Sequence, residues 1–251
     1  MPDALTDAQV EQAADFLDEA TANGLPLPPI PKSCRPQSAA DGGRIYWERW
    51  SRDPKPAVAW KAAVVGEDMV LAPFFEGMVM NSPASIPGAD FVACILEAEV
   101  AFRLDREYAP TDGGYGEASV LDGVSNAYVV IEAPNNRYGG VPEFPSMAAD
   151  GVGNQALIVG PEIEDWRNRD LVSLPCSIQI DGKVVAEGRD GRPNPIEVLV
   201  ATVNEINNRG MTVSAGEIIT TGAAALHPGG QAGMEVKIEF PGIGSVELSL
   251  T

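Results

Sequence analysis

From about residue 56 the chain is a succession of short strand-like segments broken by turn residues, a pattern that admits few architectures. The segments are AVAWKAAVV, FVACILEAEVAFRL, NAYVVIEAP, NQALIVGPEI, SLPCSIQIDGKVVAEG, GEIITTG and GMEVKIEFPGIGSVELSL. Asp181-Gly182 lies between two alternating runs, and that dipeptide favours the tight turn of a two-residue hairpin. One helix interrupts the series. Asn194 is its cap, Pro195 sits in the first turn and Glu197 at the third position. Ile196, Leu199, Val200, Val203 and Ile206 form its apolar face, and Gly210 ends it.

The residues before this series read differently. Thr6 and Gln9 have capping-box spacing, and Val10, Ala13, Phe16, Leu17 and Ala20 make a helical stripe that Gly24 terminates. LPLPPIPKSCRP is too rich in proline for a helix or an inner strand, and a shorter helix over GGRIYWERW follows. The expectation is an α+β chain, with a helical N-terminal segment over residues 1–55 and a β-rich catalytic core over residues 56–251.

Charge narrows the function. A formal net charge of −19 lacks the basic footprint that nucleic-acid binding needs, and it repels anionic ligands at long range. An acidic substrate therefore requires local positive charge at its site. No apolar run is long enough to cross a bilayer, and the acidic, amphipathic N-terminus has no signal-peptide pattern. Cys34, Cys94 and Cys176 are scattered and odd in number, with neither metal nor disulfide spacing, so a cytoplasmic location is expected.

Within ILEAEVAFRL, residues 95–104, two acids interrupt an apolar run. In a strand, Leu96, Ala98, Val100, Phe102 and Leu104 share one face, while Ile95, Glu97, Glu99, Ala101 and Arg103 share the other. Carboxylates two residues apart lie roughly 7 Å apart at the backbone and their side chains can converge further. Either that face is open to water, or a cation belongs between them. Glu132 ends another apolar run, in YVVIEAPNNR, with Arg137 beyond it. Three carboxylates without interleaved His or Cys suit a hard divalent ion, Mg2+ or Mn2+.

LEAEVAFRL followed by VIEAPNNR resembles the metal-binding pattern of the 2-oxopent-4-enoate hydratase and 2-oxo-3-hexenedioate decarboxylase family, part of the fumarylacetoacetate hydrolase superfamily. In the same order, AWKAAVV, APFFEG, AADGVGNQALIVG, RPNPIEVLVATVNEINNRG and VSAGEIITTGAA resemble further segments of that family. The resemblance implies a fumarylacetoacetate-hydrolase-like fold, a mixed β-sheet roll with a short helical N-terminal part. It implies Glu97, Glu99 and Glu132 as metal ligands and Lys61 as the active-site lysine, holding a substrate carboxylate or moving protons. Asp150 is implied as a supporting or substrate-facing acid. Arg137 pairs with a substrate carboxylate or neutralises the acidic cluster. His227, in AALHPGGQAG, reads as turn chemistry, and no histidine precedes it, which disfavours the superfamily's histidine-dependent C–C hydrolases.

The chain departs from the family where small polar residues are usual. Ala63, Val64, Val65 and Gly66 follow the lysine, Gly151, Val152 and Gly153 follow Asp150, and Ala223 follows Thr221-Gly222. A wider, more apolar cavity and a bulkier substrate are expected. The implied activity is that of a metal-dependent lyase on 2-oxo or 2-hydroxydienoic acids, of the kind found in aromatic catabolism. Hydration comes first, vinylogous decarboxylation is the alternative, and a noncatalytic binding or partner subunit is the reading from another class. The expected partners are a small 2-oxo acid, further copies of the chain in a homo-oligomer, and an enzyme of the same pathway.

Overall fold

The computed structural model describes residues 4–65, 68–188 and 193–251; Gly66, Arg192 and the first three residues lie outside the described residues. Helix α1 (Asp7–Asn23) starts at a complete capping box, the Thr6 hydroxyl accepting from the Gln9 amide and the Gln9 side chain accepting from the Thr6 amide. Its buried stripe is Val10, Ala13, Ala14, Leu17 and Ala20. Helix α2 (Ala39–Arg52) begins earlier than GGRIYWERW suggests, because the Ser38 hydroxyl caps it by accepting from the Asp41 amide at 3.1 Å. Arg44 and Arg49 then tie α2 to α1 through Asp7 and Asp18. Gly42 weakens local helix propensity, yet a Cβ there would lie 2.2 Å from the Pro145 carbonyl oxygen. A bare backbone at that point lets α2 lie against the loop and helix that overhang the site.

The strands are β1 (Ala59–Val65), β2 (Asp68–Phe74), β3 (Val79–Asn81), β4 (Ala84–Ile86), β5 (Cys94–Leu104), β6 (Val124–Ala133), β7 (Ala156–Glu162), β8 (Ser177–Ile180), β9 (Lys183–Glu187), β10 (Ile218–Thr220), β11 (Ala225–Gly230), β12 (Met234–Phe240) and β13 (Gly244–Leu250). Helices α3 (Glu117–Asp122), α4 (Phe144–Ala148) and α5 (Pro195–Asn208) lie between them. Two mixed sheets result. One runs β2-β1-β10-β5-β6-β7-β3 with β11 also paired to β5, and the other runs β4-β13-β12-β8-β9. The β8–β9 hairpin turns at Asp181 and Gly182, both at positive φ, as the dipeptide requires.

The alternation in β5 sorts its residues as expected. Leu96, Ala98, Val100, Phe102 and Leu104 enter the main core, which both sheets and α5 share, while Ala101 packs in a separate cluster on the other face. α5 contributes Val198, Leu199, Val203 and Ile206 to that core, and the Asn194 side chain caps it by accepting from the Ile196 amide at 3.0 Å. His227 is a correction: the segment read as turn is strand β11, antiparallel to β5 with a register shift between Pro228 and Gly230. Pairing along β5 overrode the local turn signal of Pro and Gly. No helix among the described residues is long and apolar enough to cross a membrane.

Candidate active site

The site is assembled on four neighbouring strands of the larger sheet, β1, β10, β5 and β6. β5 carries Glu97 and Glu99 on its non-core face, and β6 sets Glu132 directly opposite Glu97 in the antiparallel register. One oxygen from each of Glu97, Glu99 and Glu132 falls within 4.8 Å of the others. β1 sets Lys61 beside Thr220 of β10. On a flat sheet β1 and β6 would stand about 14 Å apart, three strand spacings. The Lys61 ammonium nevertheless forms an ion pair with the Glu132 carboxylate, so the sheet curls around this point. Lys61 also donates to the Val152 carbonyl at 3.1 Å.

A break in strand pairing completes the cluster. β10 pairs with β5 at residues 101–103 and β11 pairs with it at 94–98. Between them the chain leaves the ladder at Thr221-Gly222-Ala223, opposite Glu99. The Thr220 hydroxyl and the Gly222 amide at 2.9 Å both donate to Glu99 Oε2. Thr221 fastens the detour to β5 by donating from its hydroxyl to the Val100 carbonyl at 2.8 Å. The sequence alone does not single out Thr220 and Gly222; its one signal for them is the TTG tripeptide closing the GEIITTG segment.

Lys61, Glu99 and Glu132 are each 1–2% exposed, and Glu97 is half-buried. Burial, then the neighbouring Glu132 and Glu97 charges, push the Glu99 carboxyl well above the ordinary carboxylate range, with Thr220 and Lys61 opposing. Burial also raises Glu132, against the pull of Lys61. Glu99 and Glu132 are two carboxyl groups taken out of water beside one ammonium. Negative charge there is costly unless protons or a cation neutralise it.

These groups open into a cavity of about 240 Å³. Its remaining side chains are apolar: Ala62, Ala63, Val64, Ile95, Pro134, Phe144, Met147, Val152, Pro193, Ala223 and Leu226, with Gly222. Among the described lining residues no hydroxyl or amide side chain appears, in line with the polar positions missing from the sequence. Of those positions, Gly66 and the Val65 side chain lie outside the described residues.

Arg137 and Asp150 come together with each other, away from the glutamates. They line a second cavity, with Tyr46, Arg49 and Asn154. Arg137 donates to Asp150 Oδ2 at 2.8 Å and to the Asn154 carbonyl, and Arg49 reaches Asp150 Oδ1 at 3.4 Å. Between these anchors Gly151, Val152 and Gly153 all take positive φ. Two glycines suit that backbone, and it turns the Val152 carbonyl toward Lys61. Arg137 and Asp150 thus hold the turn that presents the Val152 carbonyl to Lys61.

Glu217 is a buried acid that the sequence reading left without a role. Trp60 Nε1 donates to its Oε2 at 2.7 Å, fixing the residue next to Lys61 against the start of β10. Burial raises its pKa, with the Trp60 and Ser214 hydrogen bonds opposing. An acid raised in the folded state stabilises fully below its unfolded pKa, near 4.5, and that contribution is lost as pH rises through the folded pKa. Glu217→Gln is expected to melt at or above wild type at pH 7 and to lose that advantage at pH 4. Thermal denaturation at the two pH values checks it.

The mixed sheets with few helices make an α+β fold like that of fumarylacetoacetate hydrolase. Among solved structures, fumarylacetoacetate hydrolase from Exiguobacterium antarcticum matches with a TM-score of 0.57 at 16% identity, covering 78% of this chain and 76% of its own. Closer in shape is 4-oxalocrotonate decarboxylase from Pseudomonas putida G7, complexed with magnesium and adipate, with a TM-score of 0.82 at 18% identity and 99% of both chains covered. In sequence, a 4-oxalocrotonate decarboxylase of a Pseudomonas species is 24% identical over 259 residues, 97% of this chain and 98% of that protein. A 2-keto-4-pentenoate hydratase of Paraburkholderia phymatum is 22% identical over 264 residues, 98% of each. No family model matches the chain.

Proposed function

We propose that this chain is a divalent-metal-dependent lyase acting on 2-oxo or 2-hydroxydienoic acids, with addition of water as the first reading. The observation that carries it is the convergence of Glu97, Glu99 and Glu132 beside Lys61 at the floor of one cavity. The donor set fits the ion. Ligands around a six-coordinate magnesium at about 2.1 Å are about 3 to 4 Å from one another, so oxygens already within 4.8 Å need only small side-chain adjustment. A divalent ion held there would supply Lewis-acid polarisation of a 2-oxo group.

The protein's own groups do the rest. An ammonium has three N–H donors, and Lys61 directs two of them to Glu132 and the Val152 carbonyl. The third is available to a substrate carboxylate or enol oxygen, which meets the need for local positive charge in a chain of net charge −19. Arg137 and Asp150 serve as positioning residues, since the turn between them aims Val152 at Lys61. The apolar walls exclude bulk water and strengthen every charge interaction at the floor.

Loss of CO₂ from a distal carboxylate is the second reading, favoured by the likeness to the 4-oxalocrotonate decarboxylases. Product analysis separates the two, since only one releases CO₂. The test of the site itself is calorimetric titration of metal-stripped protein with magnesium and with manganese, with and without oxalate. Binding that tightens with oxalate supports the reading, and absence of metal binding overturns it. Thr220→Val is expected to weaken magnesium binding by about tenfold or more, as loss of a hydrogen bond that orients a ligand commonly does. Thr220→Ser should restore it in the same titration.

A further inference from the structure

The cavity is chemically two-ended, and its second end bears on which acids it takes. The charged floor is Lys61 and the three glutamates. Beyond it, apolar side chains arrive from separate elements: Ile95 on β5, Leu226 on β11, and Phe144 and Met147 on α4. Register fixes two of these. Ile95 lies one alternation along β5 from Glu97, and Leu226 is the cross-strand partner of Glu97, so both stand on the glutamate face. Phe144, Met147 and Ala63, the last one alternation beyond Lys61 on β1, all pack against the same buried cluster, which includes Val152. Leu226 keeps 40% of its surface exposed, an apolar side chain at the site left for something to cover.

We propose that the substrate's end remote from its reacting carboxylate is uncharged and apolar, an alkyl or aryl substituent rather than a second carboxylate; this rests on the 2-oxo acid reading above. Among the described lining residues Lys61 is the single cation, and it is committed to Glu132 and Val152 at the floor. A carboxylate placed against Phe144, Met147, Ile95 and Leu226 would give up its hydration and meet only apolar side chains. The surrounding net charge of −19 adds a long-range bias against dianions. An alkyl tail gains instead, about fourfold in affinity for each methylene it buries.

The probe series is pyruvate, 2-oxohexanoate, 2-oxooctanoate and 2-oxoadipate, titrated calorimetrically into magnesium-loaded protein. 2-Oxohexanoate and 2-oxoadipate have the same chain length and differ in a terminal methyl against a terminal carboxylate. Expected are affinity rising from pyruvate to 2-oxooctanoate and 2-oxoadipate binding at least tenfold more weakly than 2-oxohexanoate. Leu226→Arg, a change at a partly exposed position, should narrow or reverse that preference. Equal or tighter binding of 2-oxoadipate by wild type overturns the inference and leaves the 2-oxo acid reading standing. The same holds if that preference for 2-oxoadipate disappears in R189A/R192A, since a cation outside the described residues would then serve the tail. Failure of all four acids, pyruvate included, overturns the reading and the inference together.

Discussion

Glu99→Gln is expected to abolish turnover and to weaken magnesium binding by at least a hundredfold, with the fold intact. Glu99 is 1% exposed and lies beside Glu97 and Glu132, with Thr220 and Gly222 both donating to one of its oxygens. Glutamine keeps the shape but removes a charge and presents an NH₂ group, which cannot ligate a hard cation. The stability signature is opposite in sign to the activity loss. Without metal, Glu99 is a buried acid raised by burial and by like charges, so its neutral replacement should melt at or above wild type at pH 7. Added magnesium should raise the melting temperature of wild type and not of the variant. A variant that still binds magnesium tightly would refute the ligand assignment.

Lys61→Met tests the other half of the floor. Turnover is expected to fall by about 10²–10⁴-fold, the range for losing a group that positions charge or moves a proton at the reacting centre. Magnesium affinity should be retained or increase, because Glu132 loses its competing cation. Metal-free stability should drop by roughly 3–5 kcal/mol, since one partner of a buried ion pair is removed and the other stays. Calorimetry, steady-state kinetics and denaturation with and without magnesium read the three effects separately. Wild-type turnover would leave the lysine a structural counter-ion only.

Much of this molecule follows from short-range pattern. The two-residue period of ILEAEVAFRL separated a core face from a carboxylate face, and β5 keeps that division. Thr6 with Gln9, Asn194 with Pro195, and Asp181 with Gly182 marked two helix starts and a hairpin, because caps and turns are satisfied by residues two or three positions away. The ordered resemblance to the hydratase and decarboxylase family adds Lys61, a residue that no periodicity singles out, together with the fold.

What the sequence could not reveal was decided by pairing and curvature across distant segments. Lys61 and Glu132 meet because a sheet of mixed strands curls, and curl depends on the packing of all its strands at once. Pairing with β5 turned AALHPGG from an apparent turn into a strand. The gap between β10 and β11 along β5 is likewise a matter of pairing, and it delivers Thr220 and Gly222 to Glu99. Arg137 and Asp150 carried the right charges for a substrate site, but their mutual attraction and the turn between them drew them to a second cavity. Local sequence specifies which side of a strand a group occupies. Which groups then share a desolvated floor is set by the closure of the sheet, where burial makes every unpaired charge seek its nearest partner.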